Sequence, residues 1–341
     1  MIQNIKLTNF RKFNQIELPT DNKIVILTGP NATGKTSILE AIYLIATAKS
    51  HRTNDLMVLI KDNENYGIVE IKEEKEFKSV ISKEGKTNYI NGVNYLKLSD
   101  FVGNLNVIMV SPLDIELING SNGARRRFLD LEISLLDKVY LRSIMVYKKL
   151  LKERNELLKV YNSENSLILN VLTSQFIEKI KELYNKRINF IHTLNSKLKL
   201  VTEKLQCEKV KIQYVASYDI NNLEKNFESK LNYDVTTKTT NIGLHRDSFK
   251  IYINDQEVEN YASEGQARMV ILAIKLALKE IYSSNGLKVI LLLDDIFASI
   301  DQKRINHIME YIKNEEQAFI TTTSIFNIPD ELIRQAKIIK L

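Results

Sequence analysis

An α/β fold interrupted by a helical lobe is what the sequence predicts, and three observations carry it. Short apolar, β-branched runs stand near both ends of the chain, next to stretches with helical spacing. A glycine-containing loop joins one such run, residues 23–27, to a helical pattern at 37–48. Between the ends lie two long stretches with apolar residues every three or four positions. The predicted architecture is a mixed sheet with helices, built from residues 1–125 and 208–341, carrying an inserted helical lobe at 126–207. At 341 residues the chain is long enough to bury a substantial core and to divide into two lobes.

The elements follow in order. Ile5 and Leu7 alternate with polar residues, as do Ile16 and Leu18 beyond Phe10-Arg11-Lys12-Phe13, which predicts a hairpin. Residues 23–27 read as a strand ending at Thr28-Gly29, and Ile38, Ile42 and Ile45 as the face of the helix that follows. Strands are expected at 67–71, 78–82 and 105–110, with a turn at Asn91-Gly92. One helical stripe spans 128–161 through Leu136, Tyr140, Ile144, Tyr147, Leu151 and Leu158. After the polar break Asn162-Ser163-Glu164-Asn165, a second stripe runs through Leu172, Phe176, Ile180, Leu183, Ile191, Leu194 and Leu198. The two read as a pair of long antiparallel helices. A strand at 211–217, a hairpin at 249–258 turning at Asn254-Asp255, a helix at 266–282, a strand at 289–293, a helix at 301–313 and a strand at 317–322 complete the pattern.

Composition narrows the function classes. Hydrophobic residues at 44% and charged residues at 26%, with four prolines and eleven glycines, exclude a low-complexity or disordered chain. The single cysteine, Cys207, excludes an internal disulfide framework and reads as a small apolar side chain. The start of the chain has no continuous apolar segment, and no run reaches the roughly eighteen apolar residues of a membrane span, so a cytoplasmic protein without a membrane partner is expected. A net charge of +6 suits a polyanionic partner, and equally a solvated lysine-rich surface.

Three motifs carry chemistry. Gly29-Pro30-Asn31-Ala32-Thr33-Gly34-Lys35-Thr36 fits the Walker A pattern G-x-x-x-x-G-K-[ST], placed between a strand and a helix as that pattern requires. There backbone N–H groups close around phosphate oxygens, Lys35 reaches the β- and γ-phosphates, and the Thr36 hydroxyl ligates Mg²⁺. Asp294-Asp295, ending an apolar strand, reads as Walker B, with Asp294 holding Mg²⁺ through water and Asp295 polarising an attacking water. Lys35 and Asp295 are thus the candidate catalytic residues. Ser263-Glu264-Gly265-Gln266 before a helix matches the S-x-G-Q core of an ABC-type signature, and that resemblance implies that Ser263, Gly265 and Gln266 meet the nucleotide of a second subunit.

Further stretches resemble the RecF family, relatives of SMC proteins, and occur in that family's order. They are Asn9-Phe10-Arg11, Ser50-His51-Arg52-Thr53, Ser111-Pro112-Leu113-Asp114, Arg125-Arg126-Arg127-Phe128-Leu129-Asp130, Arg154-Asn155, Gly243-Leu244-His245-Arg246-Asp247, Ser263 to Arg268, and Leu291 to Phe297 leading into Ile300-Asp301. The chain departs from the family pattern at Leu113, Leu244 and Ser248, where a glutamate, a proline and a second acid are usual. The resemblance implies an ABC-type P-loop ATPase head with a helical lobe in place of the SMC coiled coil, and ATP with Mg²⁺ bound in an ATP-dependent homodimer. It implies a weak ATPase used as a switch, binding to double-stranded DNA near single-strand gaps, and help in loading a recombinase with mediator proteins of the RecO and RecR type. Arg11 and Arg52 join the nucleotide site by the same resemblance. Arg125, Arg126, Arg127, Lys148, Lys149 and Lys152 are candidate DNA phosphate contacts, or else a solvated basic face. His51, His192, His245 and His307 show no metal spacing.

The alternative from another class is the nucleotide-binding subunit of an ABC transporter. Against it stands the long helical insertion between Walker A and the signature. An SMC-like ATPase coupled to a nuclease lacks room after the last predicted strand, and a plain P-loop kinase leaves Ser263 to Gln266 without a role.

Overall fold

The computed structural model describes residues 1–341 except 163, 298, 299, 301, 314 and 327 and the side chain of 99. Ser163 in the expected polar break and Asp301, where the last resemblance stretch ends, lie outside the described residues. The chain opens with a hairpin in which β1 (Asn4–Phe10) pairs with β2 (Phe13–Pro19), Phe10 facing Phe13. β3 (Ile24–Thr28) is buried at every position and leads through the glycine loop into α1 (Lys35–Thr47). β4 (Tyr66–Lys72), β5 (Glu76–Ser82), β6 (Gly85–Ile90), β7 (Val93–Asn94), α2 (Leu98–Phe101) and β8 (Val107–Val110) follow.

The middle of the chain holds α3 (Glu116–Asn119), α4 (Asn122–Leu136), α5 (Lys138–Lys159) and the 39-residue α6 (Ser166–Lys204). β9 (Val210–Val215), α7 (Leu223–Thr237), β10 (Ser248–Ile253), β11 (Gln256–Glu257) and α8 (Val258–Tyr261) come next. The last third is α9 (Glu264–Ser284), β12 (Ile290–Asp294), α10 (Gln302–Lys313), β13 (Gln317–Thr322), α11 (Asp330–Gln335) and β14 (Lys337–Lys340).

These elements form two compact units. The first contains Met1–Ile115, Lys197–Lys209 and Ala262–Leu341. It has two sheets of opposite character. The order β2-β1-β4-β5-β6-β7 is antiparallel, with β4 and β5 alternating buried and open positions. The order β14-β3-β13-β12-β8 is parallel throughout. β3, β12, β13 and β8 are buried at every position, because a parallel sheet is covered on both faces and needs apolar residues on each. α1 packs against strands of both sheets and is buried almost all round. That is how the helix behind the glycine loop acquires an apolar sequence.

The second unit contains Glu116–Ser196 and Val210–Tyr261, with a sheet in the order β11-β10-β9. The expected boundary, with 126–207 as a purely helical lobe, is corrected here. Residues 116–125 and 210–261 belong with the helices, because β10 packs on α4, where Phe128 and Phe249 meet at 6.0 Å between ring centroids. Residues 197–209 belong with the first unit.

The stripe expected as one helix at 128–161 is two, α4 and α5. Asp137 divides them, its Oδ1 accepting the N–H groups of Val139 at 2.7 Å and Tyr140 at 3.0 Å as the cap of α5. The strand β6 was not expected, since its buried Asn88 breaks the apolar pattern. Asn88 accepts from Ser79 Oγ across the β5–β6 pair at 2.7 Å, a polar contact inside the sheet. α7, α11 and β14 also go beyond the sequence reading.

Candidate nucleotide site

The site is built where β3 ends. Gly34 caps α1 at φ 102°, and a Cβ there would strike the ring of Phe13. Gly29 sits at φ 152°, and its Cβ would stand 2.5 Å from the carbonyl oxygen of Leu341. Thr33 Oγ1 donates to the Pro30 carbonyl at 3.0 Å and closes the loop on itself. Lys35 Nζ donates to the carbonyls of Gly29 and Pro30, at 2.7 Å each, so the ammonium is held under the loop at the N-terminus of α1. Burial holds its pKa below the ordinary lysine range, opposed by the charges of Asp295 and Asp294.

β12 brings Asp294 to the same place. Thr36 Oγ1 donates to Asp294 Oδ1 at 2.9 Å, and Thr321 Oγ1 on β13 donates to the same oxygen at 2.7 Å. Burial lifts the Asp294 carboxyl above the ordinary aspartate range, while the two hydroxyls pull it down and the Asp295 charge adds to the rise. Asp295 is exposed to the cleft at φ 49°, and its N–H donates to Thr321 Oγ1 at 2.9 Å. A non-glycine residue in the left-handed region is a strained feature of the kind found at functional sites.

Arg11 shares that feature at φ 52° in the β1–β2 turn. Its Nε and Nη2 donate to the two oxygens of Glu40 at 2.8 and 2.7 Å, and its Nη1 donates to the Val58 carbonyl at 3.1 Å. Arg52 Nη1 stands 3.9 Å from Glu40 Oε2. Arg11, Asn31, Ala32, Gly34, Lys35, Thr36, Arg52, Asp294 and Asp295 line one cleft of about 560 Å³. Lys12, Asp62 and Thr321 line it as well.

The structure brings Asn31, Ala32, Gly34, Lys35 and Thr36 of the loop together with Asp294, Asp295, Arg11 and Arg52, while Gly29, Pro30 and Thr33 are not among the lining residues. The sequence reading missed three others. Glu40 was visible as an acid inside the apolar run Ile38-Leu39-Glu40-Ala41-Ile42, and Thr321 as a hydroxyl ending a buried strand. Lys12, beside Arg11 in the turn, donates to the Ala32 carbonyl at 2.8 Å.

Ser263, Gly265 and Gln266 do not line that cleft. Ser263 caps α9 in a reciprocal box, its Oγ accepting from Gln266 N–H at 3.3 Å while Gln266 Oε1 accepts from Ser263 N–H at 3.0 Å. The basic residues divide. Arg125 is corrected as a phosphate contact: it is buried, donates to the carbonyls of Leu117 and Ile118, and pairs with Glu259 at 2.7 Å. Arg126 is half-buried and donates to the Asp247 carbonyl at 2.8 Å. Arg127 and Lys152 are exposed, as are Lys148, 3.4 Å from Asp130, and Lys149, 3.7 Å from Glu153.

A parallel sheet feeding a phosphate loop, a helix buried between two sheets and a signature serine capping a later helix define an SMC-like head of the ABC type of P-loop ATPases. Residues 1–336 match the family described as the RecF/RecN/SMC N terminal domain. DNA replication and repair protein RecF of Shouchella clausii is 36% identical over 357 residues, covering 98% of this chain and 96% of the relative. A solved structure of the recombination mediator protein RecF with ATP in the RecFOR pathway aligns with TM-score 0.87 at 28% identity, over 96% of this chain and 93% of that one. A Smc head bound to the C-winged helix domain of ScpA aligns with TM-score 0.56 at 16% identity, over 99% and 93%, and shares the fold. The chain belongs to the RecF family. The transporter-subunit alternative is not favoured by these likenesses. Among the described residues no helix is long and apolar enough to cross a membrane.

Proposed function

We propose that this chain binds ATP with Mg²⁺ in the cleft and works on DNA in replication and recombinational repair. The observation that carries the reading is the junction of loop and strand, where Thr36, Asp294 and Thr321 share one carboxylate oxygen beside Lys35. The oxygen-only pair of Thr36 and Asp294 fits Mg²⁺, a hard cation that binds one or two protein oxygens and completes its shell with phosphates and water. Bound there, Mg²⁺ would neutralise charge on the β- and γ-phosphates. The chain's own residues do the rest. The loop N–H groups and the α1 terminus hold phosphate oxygens, Lys35 turns from the loop carbonyls to the phosphates, and Asp295 holds and orients water at the open edge.

Ser263, exposed and outside the cleft, supports a composite site in which it serves the nucleotide of a second copy. The relatives named as DNA replication and repair proteins, and the neighbour named as a recombination mediator in the RecFOR pathway, support DNA as the substrate and RecO- and RecR-type proteins as partners; single-strand gaps as the preferred DNA are the finer part of the proposal. ATP then acts as a dimerisation switch with slow turnover, and the exposed Arg127, Lys148, Lys149 and Lys152 are the candidates for phosphate contact under this reading.

The test is fluorescence anisotropy of a labelled gapped duplex, with and without Mg-ATP, at two salt concentrations and beside Lys35→Ala. Salt-sensitive binding that tightens with ATP, and loses that gain in the variant, is expected. No binding under any condition would remove the DNA reading while leaving the nucleotide site standing.

A further inference from the structure

Glu40 lies on α1 four residues beyond Thr36 and is fully buried. A carboxylate taken out of water needs partners. Its two oxygens accept Arg11 Nε and Nη2 and, at 2.5 Å, the Ser50 hydroxyl. Arg52 stands beyond these, 3.9 Å away. The two arginines are held unequally. Arg11 is gripped as a fork by Glu40 and tied by a third donor to the Val58 carbonyl, so its place at the cleft wall is fixed. Arg52 is 41% exposed, lines the same cleft, and its charge acts on Asp294. One carboxylate cannot compensate two guanidiniums. Once Arg11 has taken both oxygens, Arg52 keeps most of its charge for an incoming anion.

We infer that Glu40 is a positioning residue of the nucleotide site, locking Arg11 as a fixed donor and leaving Arg52 as the movable one that closes on the terminal phosphate of a nucleoside triphosphate. The inference rests on the nucleotide reading above. A second observation supports it from the same segment. Both ring nitrogens of His51, between Ser50 and Arg52, are buried with no hydrogen-bond partner among the described residues. An orphaned buried donor or acceptor is costly, so a movement that gave it a partner would be favoured. Movement of Arg52 toward phosphate would carry His51 with it.

A double-mutant cycle tests this, with fluorescent ATP and ADP analogues titrated into the full chain. Glu40→Gln is expected to weaken ATP binding roughly 10- to 100-fold, the range for losing a charged hydrogen-bond partner. In an Arg11→Ala background the same change is expected to add less than about twofold, because Glu40 acts through Arg11. Glu40→Asp, which keeps the charge, should recover part of the loss, and Arg52→Ala should weaken ATP far more than ADP. Additive losses at Glu40 and Arg11, or equal losses of ATP and ADP at Arg52, would overturn the inference.

Should the Glu40 variants fail to fold by circular dichroism, arginine-labelled wild type decides. An Arg11 Nε–H signal present without nucleotide and unmoved by ATP, with an Arg52 signal that sharpens only with ATP, supports it, and the reverse pattern sinks it. A wild-type chain that binds neither nucleotide overturns the nucleotide reading and this inference together. Wild-type binding with an additive cycle removes the inference alone.

Discussion

The arginines of the nucleotide cleft and those of the second unit share a side chain and differ in what their donors are doing. Among the described residues Arg52 has a single distant carboxylate contact, and it is 41% exposed. Arg187 is almost completely buried and spends its fork on Asp130 at 2.7 Å, the Tyr140 hydroxyl at 3.0 Å, the Tyr214 hydroxyl at 3.1 Å and the Leu244 carbonyl at 3.2 Å. Arg154 is equally buried, donating to Asp234 at 2.8 Å, Thr240 Oγ1 at 2.7 Å and Thr173 Oγ1 at 3.1 Å, with its guanidinium over the Phe227 ring. The sequence presents all three as members of family-like stretches or of a basic chain. What separates a ligand-binding arginine from a scaffolding one is unspent hydrogen-bonding capacity, which only the fold reveals.

His245 makes the same point. Its Nε2 faces the Thr240 carbonyl at 2.8 Å, which can only accept, so Nε2 carries the proton and Nδ1 accepts from the Tyr147 hydroxyl at 2.7 Å. The motif Gly243-Leu244-His245-Arg246-Asp247 is therefore a satisfied hub. Asp247 at its end accepts from Tyr214, Tyr218 and Ser217. His51, in the first unit, has the opposite condition.

The contrast can be broken in four ways, in order of size. Arg154→Ala strands the buried Asp234 and is expected to lower unfolding free energy by about 3–5 kcal/mol in urea denaturation. A loss below about 1 kcal/mol would mean the network is solvated. His51 is expected to contribute to the acid limb of the first unit. Burial drops its pKa from 6.5 to about 4, with Glu40 the main opposing charge. The unfolded chain binds the proton first, so stability is lost as pH falls from 6.5 towards 4, by at most about 3 kcal/mol. His51→Leu should flatten the difference between denaturation curves at neutral pH and near the lower end of that window.

Lys35→Ala comes third, with ATP affinity down roughly 10- to 100-fold. Its melting temperature should stay within about 2 °C of wild type, as expected of a side chain whose partners are loop carbonyls. Smallest are the exposed cations. Arg127→Ala and Lys152→Ala should each reduce the slope of log affinity for DNA against log salt by about 1. Arg125→Met should leave that slope alone, since its donors are spent inside the protein. An equal effect at Arg125 and Arg127 would erase the distinction.

Much of the first unit was legible because parallel strands must be apolar on both faces and phosphate loops must be glycine-bearing at fixed spacing. Residues 317–322 matched β13 in full, and the Walker A loop fell between β3 and α1 as expected. The second unit was less legible. A stripe of three and four continues across Asp137 because α4 and α5 both bury that face, and only the capping carboxylate marks the break. The partner of Glu40, rather than Glu40 itself, was hidden, since an acid in an apolar helix announces a partner without saying which. The arginine that answers it lies 29 residues upstream, in a different element.

The order β14-β3-β13-β12-β8 has a temporal meaning. The strand that presents the phosphate loop is flanked by β13 and β14, made of residues 317–322 and 337–340, so both neighbours of residues 24–28 are translated only after the whole second unit. On the ribosome the loop emerges early and waits, its strand unpaired on either edge, while the second unit is made and has all its own residues available to fold. Nucleotide affinity in a nascent chain is then expected to switch on late and abruptly, which makes ATP binding a report on the arrival of residues more than 290 positions away.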